Sequence, residues 1–180
     1  MIVLDTGLHG LIHLIPKVFE DARGYFLETY NKETYYNLGI YETFIQDNIS
    51  KSEKNVLRGL HFQNPPNAQG KLVSVIYGSV LDVAVDIRKN SATYGKYYIA
   101  ELSENNKHIL WIPPGFAHGF LTLQDNTIFS YKCTSLFNKS AEDSILWNDP
   151  DLNINWGISN PKLSEKDKTA QTFKGFHSKF

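Results

Sequence analysis

LVSVIYGSVLDVAVDI, residues 72–87, alternates apolar and polar side chains with period two. That is the pattern of strands with one buried face. The alternation breaks at Tyr77-Gly78-Ser79, so the stretch reads as two strands joined by a tight turn. The same pattern recurs outward in both directions. KYYIAEL (96–102), HILWIP (108–113), GFLTL (119–123) and TIFSYKCTS (127–135) follow, separated by Glu-Asn-Asn, Pro-Pro-Gly and Gln-Asp-Asn turns. HLIPKVF, GYFLETY and ETFIQDNIS precede it. With the segment around 56–63 this makes about ten short strands at close spacing, the signature of an all-β sandwich or barrel, of which the jelly roll is one closure. Helical pattern is scarce. NKETYYNLG (31–39) suits a short helix with Asn31 as N-cap and Gly39 past its end, and LSEKDKTAQ (163–171) suits another.

The chain of 180 residues is expected to form a single domain over 1–180, because no repeat, charge run or low-complexity linker divides it. Hydrophobic residues at 42% and charged residues at 21% fit a soluble globular protein. A net charge of −1 without a basic block leaves no electrostatic footprint for nucleic acid. No apolar run approaches the ~18 residues of a membrane span. The start, MIVLDTGLHGLIHLIPK, has no basic n-region and carries Asp5 early, which does not read as a signal peptide. Cys133 is alone and has no intrachain disulfide partner. A cytoplasmic protein is expected.

VLRGLHFQNPPNAQGKLV, residues 56–73, sets Arg58, His61 and Lys71 among apolar residues. Strand alternation puts Gly59, His61 and Gln63 on one face and Arg58, Leu60 and Phe62 on the other. Each candidate has a plain structural alternative. His61 reads equally as a satisfied strand histidine, and Lys71 as a strand-start lysine reaching solvent. Tyr131 reads as a core or surface tyrosine, and His118, after PPGFA, as a turn residue bonded to backbone. Together they could converge in one barrel mouth, where small-molecule sites lie. A metal site is not expected: His61 has no H-x-H partner and the next histidine is His108. Cys133 reads as a small buried residue. Ser164 and Asp167 read as a capping box. Asp82 and Asp86 alternate with Val83, Val85 and Ile87, so their face is either solvated or a hydrophilic pocket wall, and the pattern leaves both open.

FEDARGYFLETYN, FIQDNISKSEKNVLRGLHFQ, AQGKLVSVIYGSVLDVAVDIRKNSATYG, LWIPPGFAHGF, YKCTSLFNKSAEDSILWNDPDLNINW and LSEKD resemble, in order, the dTDP-4-dehydrorhamnose 3,5-epimerase family. The resemblance implies a cupin-like jelly roll with a few short peripheral helices, a homodimer, and no metal or organic cofactor. The implied reaction converts dTDP-4-dehydro-6-deoxy-D-glucose to dTDP-4-dehydro-L-rhamnose, for dTDP-L-rhamnose and polysaccharide biosynthesis. The hydrogens on C3 and C5 both neighbour the C4 ketone. Removing one leaves an enolate, and returning a proton to the opposite face inverts the centre. Such chemistry needs a base, an acid across the ring and a positive group at the oxyanion. By resemblance His61 matches the base, Asp167 its carboxylate partner, Tyr131 the acid and Lys71 the cation at the C4 oxygen.

By the same resemblance Arg23 and Arg58 suit the diphosphate and sugar region, and Glu28, Gln46 and Asn48 the nucleotide. His118 matches a sugar or phosphate contact, and Glu142 and Lys166 further binding positions. A partner subunit is implied to contribute part of the pocket through its N-terminal segment. Phe137 stands where the family commonly has a tyrosine stacking on thymine; the ring face is kept and the hydroxyl lost. Arg58 and His61, three apart, can line one pocket only if the strand bulges, and Gly59 is the expected place. Two alternatives share the fold: a relative inverting only C3 or only C5 of a related nucleotide 4-keto sugar, and a non-catalytic sugar- or metal-binding jelly roll.

Overall fold

The computed structural model describes residues 1–180. Its strands are β1 (Ile2–Leu4), β2 (Ile12–Ile15), β3 (Val18–Asp21), β4 (Gly24–Leu27), β5 (Gln46–Ser52), β6 (Leu57–Gln63) and β7 (Lys71–Tyr77). They continue with β8 (Ser79–Asp86), β9 (Tyr97–Ser103), β10 (Ile109–Ile112), β11 (Phe116–Thr122), β12 (Thr127–Cys133) and β13 (Glu142–Ser144). Two short helices, α1 (Lys32–Asn37) and α2 (Glu165–Lys168), lie outside them. The strands form two antiparallel sheets of a jelly roll, in the orders β1-β2-β10-β7-β12-β5 and β13-β6-β11-β8-β9; β3 and β4 make a separate hairpin.

Residues 72–87 split as expected into β7 and β8, with Gly78 at φ +81° between them. The two strands enter different sheets. Between the sheets, Val73 and Val75 of β7 and Phe129 of β12 meet Val80 and Ala84 of β8 and Phe120 of β11. The other face of the five-stranded sheet is covered as well: Val83 and Val85 pack under Ile145, Trp147, Trp156 and Phe176 of the later chain. Tyr35 of α1 and Ile40 cover Leu14, Leu72 and Trp111 on the far face of the six-stranded sheet. Strand β8 is therefore enclosed on both faces, and Asp82 and Asp86 are both 0% exposed. Of the two possibilities for that polar face, the solvated exterior is excluded.

The structure departs from the pattern reading in a few places. HLIPKVF is two strands, because Pro16 lacks the N–H a ladder needs. ETFIQDNIS becomes a strand only at Gln46. β11 starts at Phe116, ahead of the expected 119, so His118 is a buried strand residue rather than a turn residue. The turn before it is completed by Gly115 at φ +89°. β1 and β13, three residues each, are too short to show a period. Both helices form where expected: the Asn31 carboxamide oxygen accepts from the amides of Glu33 and Thr34, and Ser164 Oγ from that of Asp167.

Candidate active site

The site begins with an irregularity in β6. Gly59 has φ +138°, a conformation open essentially to glycine, and the pairing of β6 with β11 shifts register between His118 and Phe120. Two backbones touch there: a Cβ on Gly59 would stand 2.4 Å from the Gly119 Cα. This is the expected break in the strand. Beyond it Arg58 and His61, which regular alternation would separate, line one cavity of about 420 Å³.

His61 Nε2 lies 2.5 Å from Asp167 Oδ1, joining side chains 106 residues apart. Asp167 is fixed by α2, where Ser164 caps its amide at 3.1 Å. Its carboxylate turns to His61 instead of back to the cap, so the capping box is half-used. Burial opposes charge on Asp167. The bond from His61 outweighs it, helped by Ser164 and Lys166, and the carboxyl stays below the usual carboxylate range. An ionised Asp167 draws the imidazole hydrogen to Nε2 and leaves Nδ1 as the acceptor.

Lys71 and Tyr131 come from the opposing sheet. Lys71 pairs with Cys133 and Tyr131 with Val73 in the β7–β12 ladder, and both side chains point between the sheets into the same cavity. Burial pushes the Lys71 ammonium towards the neutral form. Burial, with the neighbouring Cys133 and Glu142, raises the Tyr131 phenol against a smaller opposite pull from Arg58. His118 lines the cavity too. Its Nε2 is 3.0 and 2.9 Å from the two oxygens of Asp82, so its bond is to a buried carboxylate and not to backbone. Burial lowers its proton affinity despite that carboxylate. Arg58 is oriented by Ser52 Oγ, which accepts from Nε at 3.2 Å and Nη2 at 3.0 Å.

A second cavity of about 360 Å³ shares His61, Lys71 and Tyr131 and adds Gln46, Asn48, Phe137 and Glu142. Gln46 gives an amide hydrogen to Asn48 Oδ1 at 3.0 Å, and its Oε1 accepts from the Phe137 amide at 3.0 Å. The Phe137 ring is exposed, a flat face at the mouth. Glu142 is paired with Lys166 at 2.6 Å, which places Lys166 at the rim. Arg23 and Glu28 are not brought here. Arg23 is 91% exposed on the β3–β4 hairpin, bonded to Asp21, and Glu28 accepts from Asn31. No three His, Cys, Asp or Glu side chains are grouped to hold a metal ion.

Several residues that line the cavities are absent from the sequence candidates, Lys162 of the first cavity among them. Gln63 and Gln69 flank the Pro-Pro turn and line the second cavity. Ser50 lines the first, and its Oγ is buried without a partner. Ser50 continues the alternation Gln46-Asn48-Ser50-Ser52 on one face of β5, so strand period two, applied outward from the two neighbours that the resemblance supplied, reaches it.

The arrangement is a basic nitrogen on one sheet, a phenol on the other and an ammonium beside the phenol, around a cavity of hexose size. It can remove a proton next to a carbonyl, hold the enolate, and return a proton from the far side. The family profile described as dTDP-4-dehydrorhamnose 3,5-epimerase matches residues 5–175. The dTDP-4-dehydrorhamnose 3,5-epimerase of Salmonella typhimurium is 55% identical over 172 residues, which cover 94% of each chain. The crystal structure of the enzyme of that name from Elizabethkingia anophelis superposes with a TM-score of 0.92 at 50% identity, covering 97% of both chains. The dTDP-6-deoxy-D-glucose-3,5-epimerase of Legionella pneumophila, solved in complex with dTDP-4-keto-L-rhamnose, superposes with a TM-score of 0.93 at 44% identity, covering 97% of this chain and 94% of that one. On sequence and structure alike, the chain belongs to the dTDP-4-dehydrorhamnose 3,5-epimerase family.

Proposed function

We propose that this protein converts dTDP-4-dehydro-6-deoxy-D-glucose to dTDP-4-dehydro-L-rhamnose by inverting C3 and C5, a step of dTDP-L-rhamnose biosynthesis. The observation that carries the reading is the His61–Asp167 pair facing Tyr131 and Lys71 across one cavity. His61 Nδ1 takes the proton from C3 or C5, and Asp167 stabilises the imidazolium that results. The Lys71 ammonium stabilises the negative oxygen at C4, the contribution expected to be largest. Tyr131 then delivers its phenolic proton from the opposite wall and inverts the centre.

In this reading Gln46, Asn48 and Phe137 hold the nucleotide, Phe137 by stacking. Arg58, His118, Glu142 and Lys166 hold the sugar and diphosphate. Arg23 and Glu28 act in the site of a second copy. Their hairpin carries exposed Phe19, Tyr25 and Phe26, apolar surface of the kind that dimers cover. The working unit is thus a cytoplasmic homodimer, with the whole chain 1–180 as one epimerase domain needing no cofactor.

The test is incubation with the dTDP-4-keto sugar in deuterium oxide, read by NMR. Deuterium at both C3 and C5 is expected. Label at one carbon alone would make the protein a single-centre epimerase, and label at neither would remove the assignment.

A further inference from the structure

Asp82 is the buried charge that this mechanism leaves unused. It shares the inward face of β8 with Val80 and Ala84, which fill the same layer with hydrocarbon. Both its oxygens accept from one donor, His118 Nε2. A buried carboxylate with a single N–H partner is costly unless a positive charge stands near. Lys71 reaches from β7 into the cavity that His118, the partner of Asp82, also lines, and Asp82 acts there to favour its charged form.

Cys133 and two carboxylates act to raise Lys71, and of the carboxylates Asp82 acts more strongly than Glu142. Cys133 and Tyr131 on β12 are both raised by burial, so thiol and phenol stay uncharged through neutral pH. Glu142 on β13 is committed to Lys166 on α2. His61 on β6 is bonded to Asp167, and burial keeps His118 on β11 from taking a second proton.

We infer that Asp82 is a positioning residue of the active site: it fixes the His118 proton on Nε2 and supplies the buried negative charge that keeps Lys71 an ammonium beside the substrate's ketone. The inference rests on the proposed function for its catalytic consequence, and on the geometry alone for its electrostatic one.

Asp82→Asn tests it, since the amide oxygen still accepts from His118 while the charge is gone. In substrate-free protein with labelled lysine, the Lys71 titration, assigned by the signal lost in Lys71→Arg, should move down by about one pH unit or more. The alkaline limb of kcat/KM should move the same way. A Lys71 titration at its wild-type position, or a fall in activity with the limb unmoved, would overturn the proposal and leave Asp82 a packing residue. If Asp82→Asn does not fold, nitrogen NMR of His118 in the wild-type protein decides: the hydrogen on Nε2 is expected, and the hydrogen on Nδ1 would overturn it. The titration and the tautomer are read without substrate, so they stand or fall apart from deuterium exchange in the wild type.

Discussion

His61 commits one ring nitrogen to Asp167 and leaves the other open, and in the proposed mechanism that one nitrogen is the base for both reacting carbons. His61→Ala should therefore lower solvent exchange at C3 and at C5 together, by roughly 10³-fold, measured by deuterium incorporation. Tyr131→Phe should behave differently. The enolate still forms and can be reprotonated from the side it came from, so inversion should drop about 10²-fold while exchange persists. Equal losses in both would place the tyrosine outside the proton path. The pH dependence follows from the directions of the shifts. Burial lowers Lys71 and raises Tyr131, so the lysine loses its proton earlier, and the phenol later, than either would in water. The alkaline limb of kcat/KM should then fall below the ordinary lysine value of about 10.4 and survive in Tyr131→Phe. These four side chains were legible from the motifs around them. Asp82 was not: period two says which residues share a face, but not that both faces of β8 are covered.

β6 and β11 approach so closely because each has a glycine at the crossing. Gly59→Ala would force a side chain into positive φ and against the backbone of Gly119. A loss of about 3 kcal/mol in a urea titration is expected, with His61 and Arg58 displaced and activity lower than the residual folded fraction explains. The break at Gly59 was readable in advance because two candidates three apart had to share a wall. The boundaries of β11 were not. There Gly115, at positive φ, ends the Pro-Pro-Gly turn early enough for Phe116 to pair with Asp86, a partner 30 positions back that local sequence does not announce. Helix α2 has only four residues and owes its place to its cap and to His61 rather than to its own propensity.

At the scale of the molecule, Arg23 and Glu28 stand apart from the pocket that the motifs assign them to. A sequence does not say whether two of its motifs meet within one chain or across two. If a second copy closes the site, mixing inactive His61→Ala and Arg23→Ala subunits should restore about a quarter of wild-type activity. Half the dimers would then be mixed, each with one intact site. No recovery after subunit exchange would put Arg23 outside the partner's site. Acid stability is a separate global property. Burial raises Asp86, but Arg88, Ser91 and Thr93 overcome it and hold its carboxyl down to about 2. A depressed carboxyl contributes stability above its unfolded value, near 4, and loses it as pH falls through about 2. Urea unfolding across that window should show wild type losing about 2 kcal/mol that Asp86→Asn does not lose. Finally, His61 and Tyr131, the base and acid of the proposed mechanism, sit on different layers of the jelly roll, so in that mechanism the spacing of the layers works as a calliper on the hexose. The hydrocarbon that sets this gap, Val73, Val75 and Ala84 among it, gauges how far a proton must travel from one side of the ring to the other without ever touching the sugar.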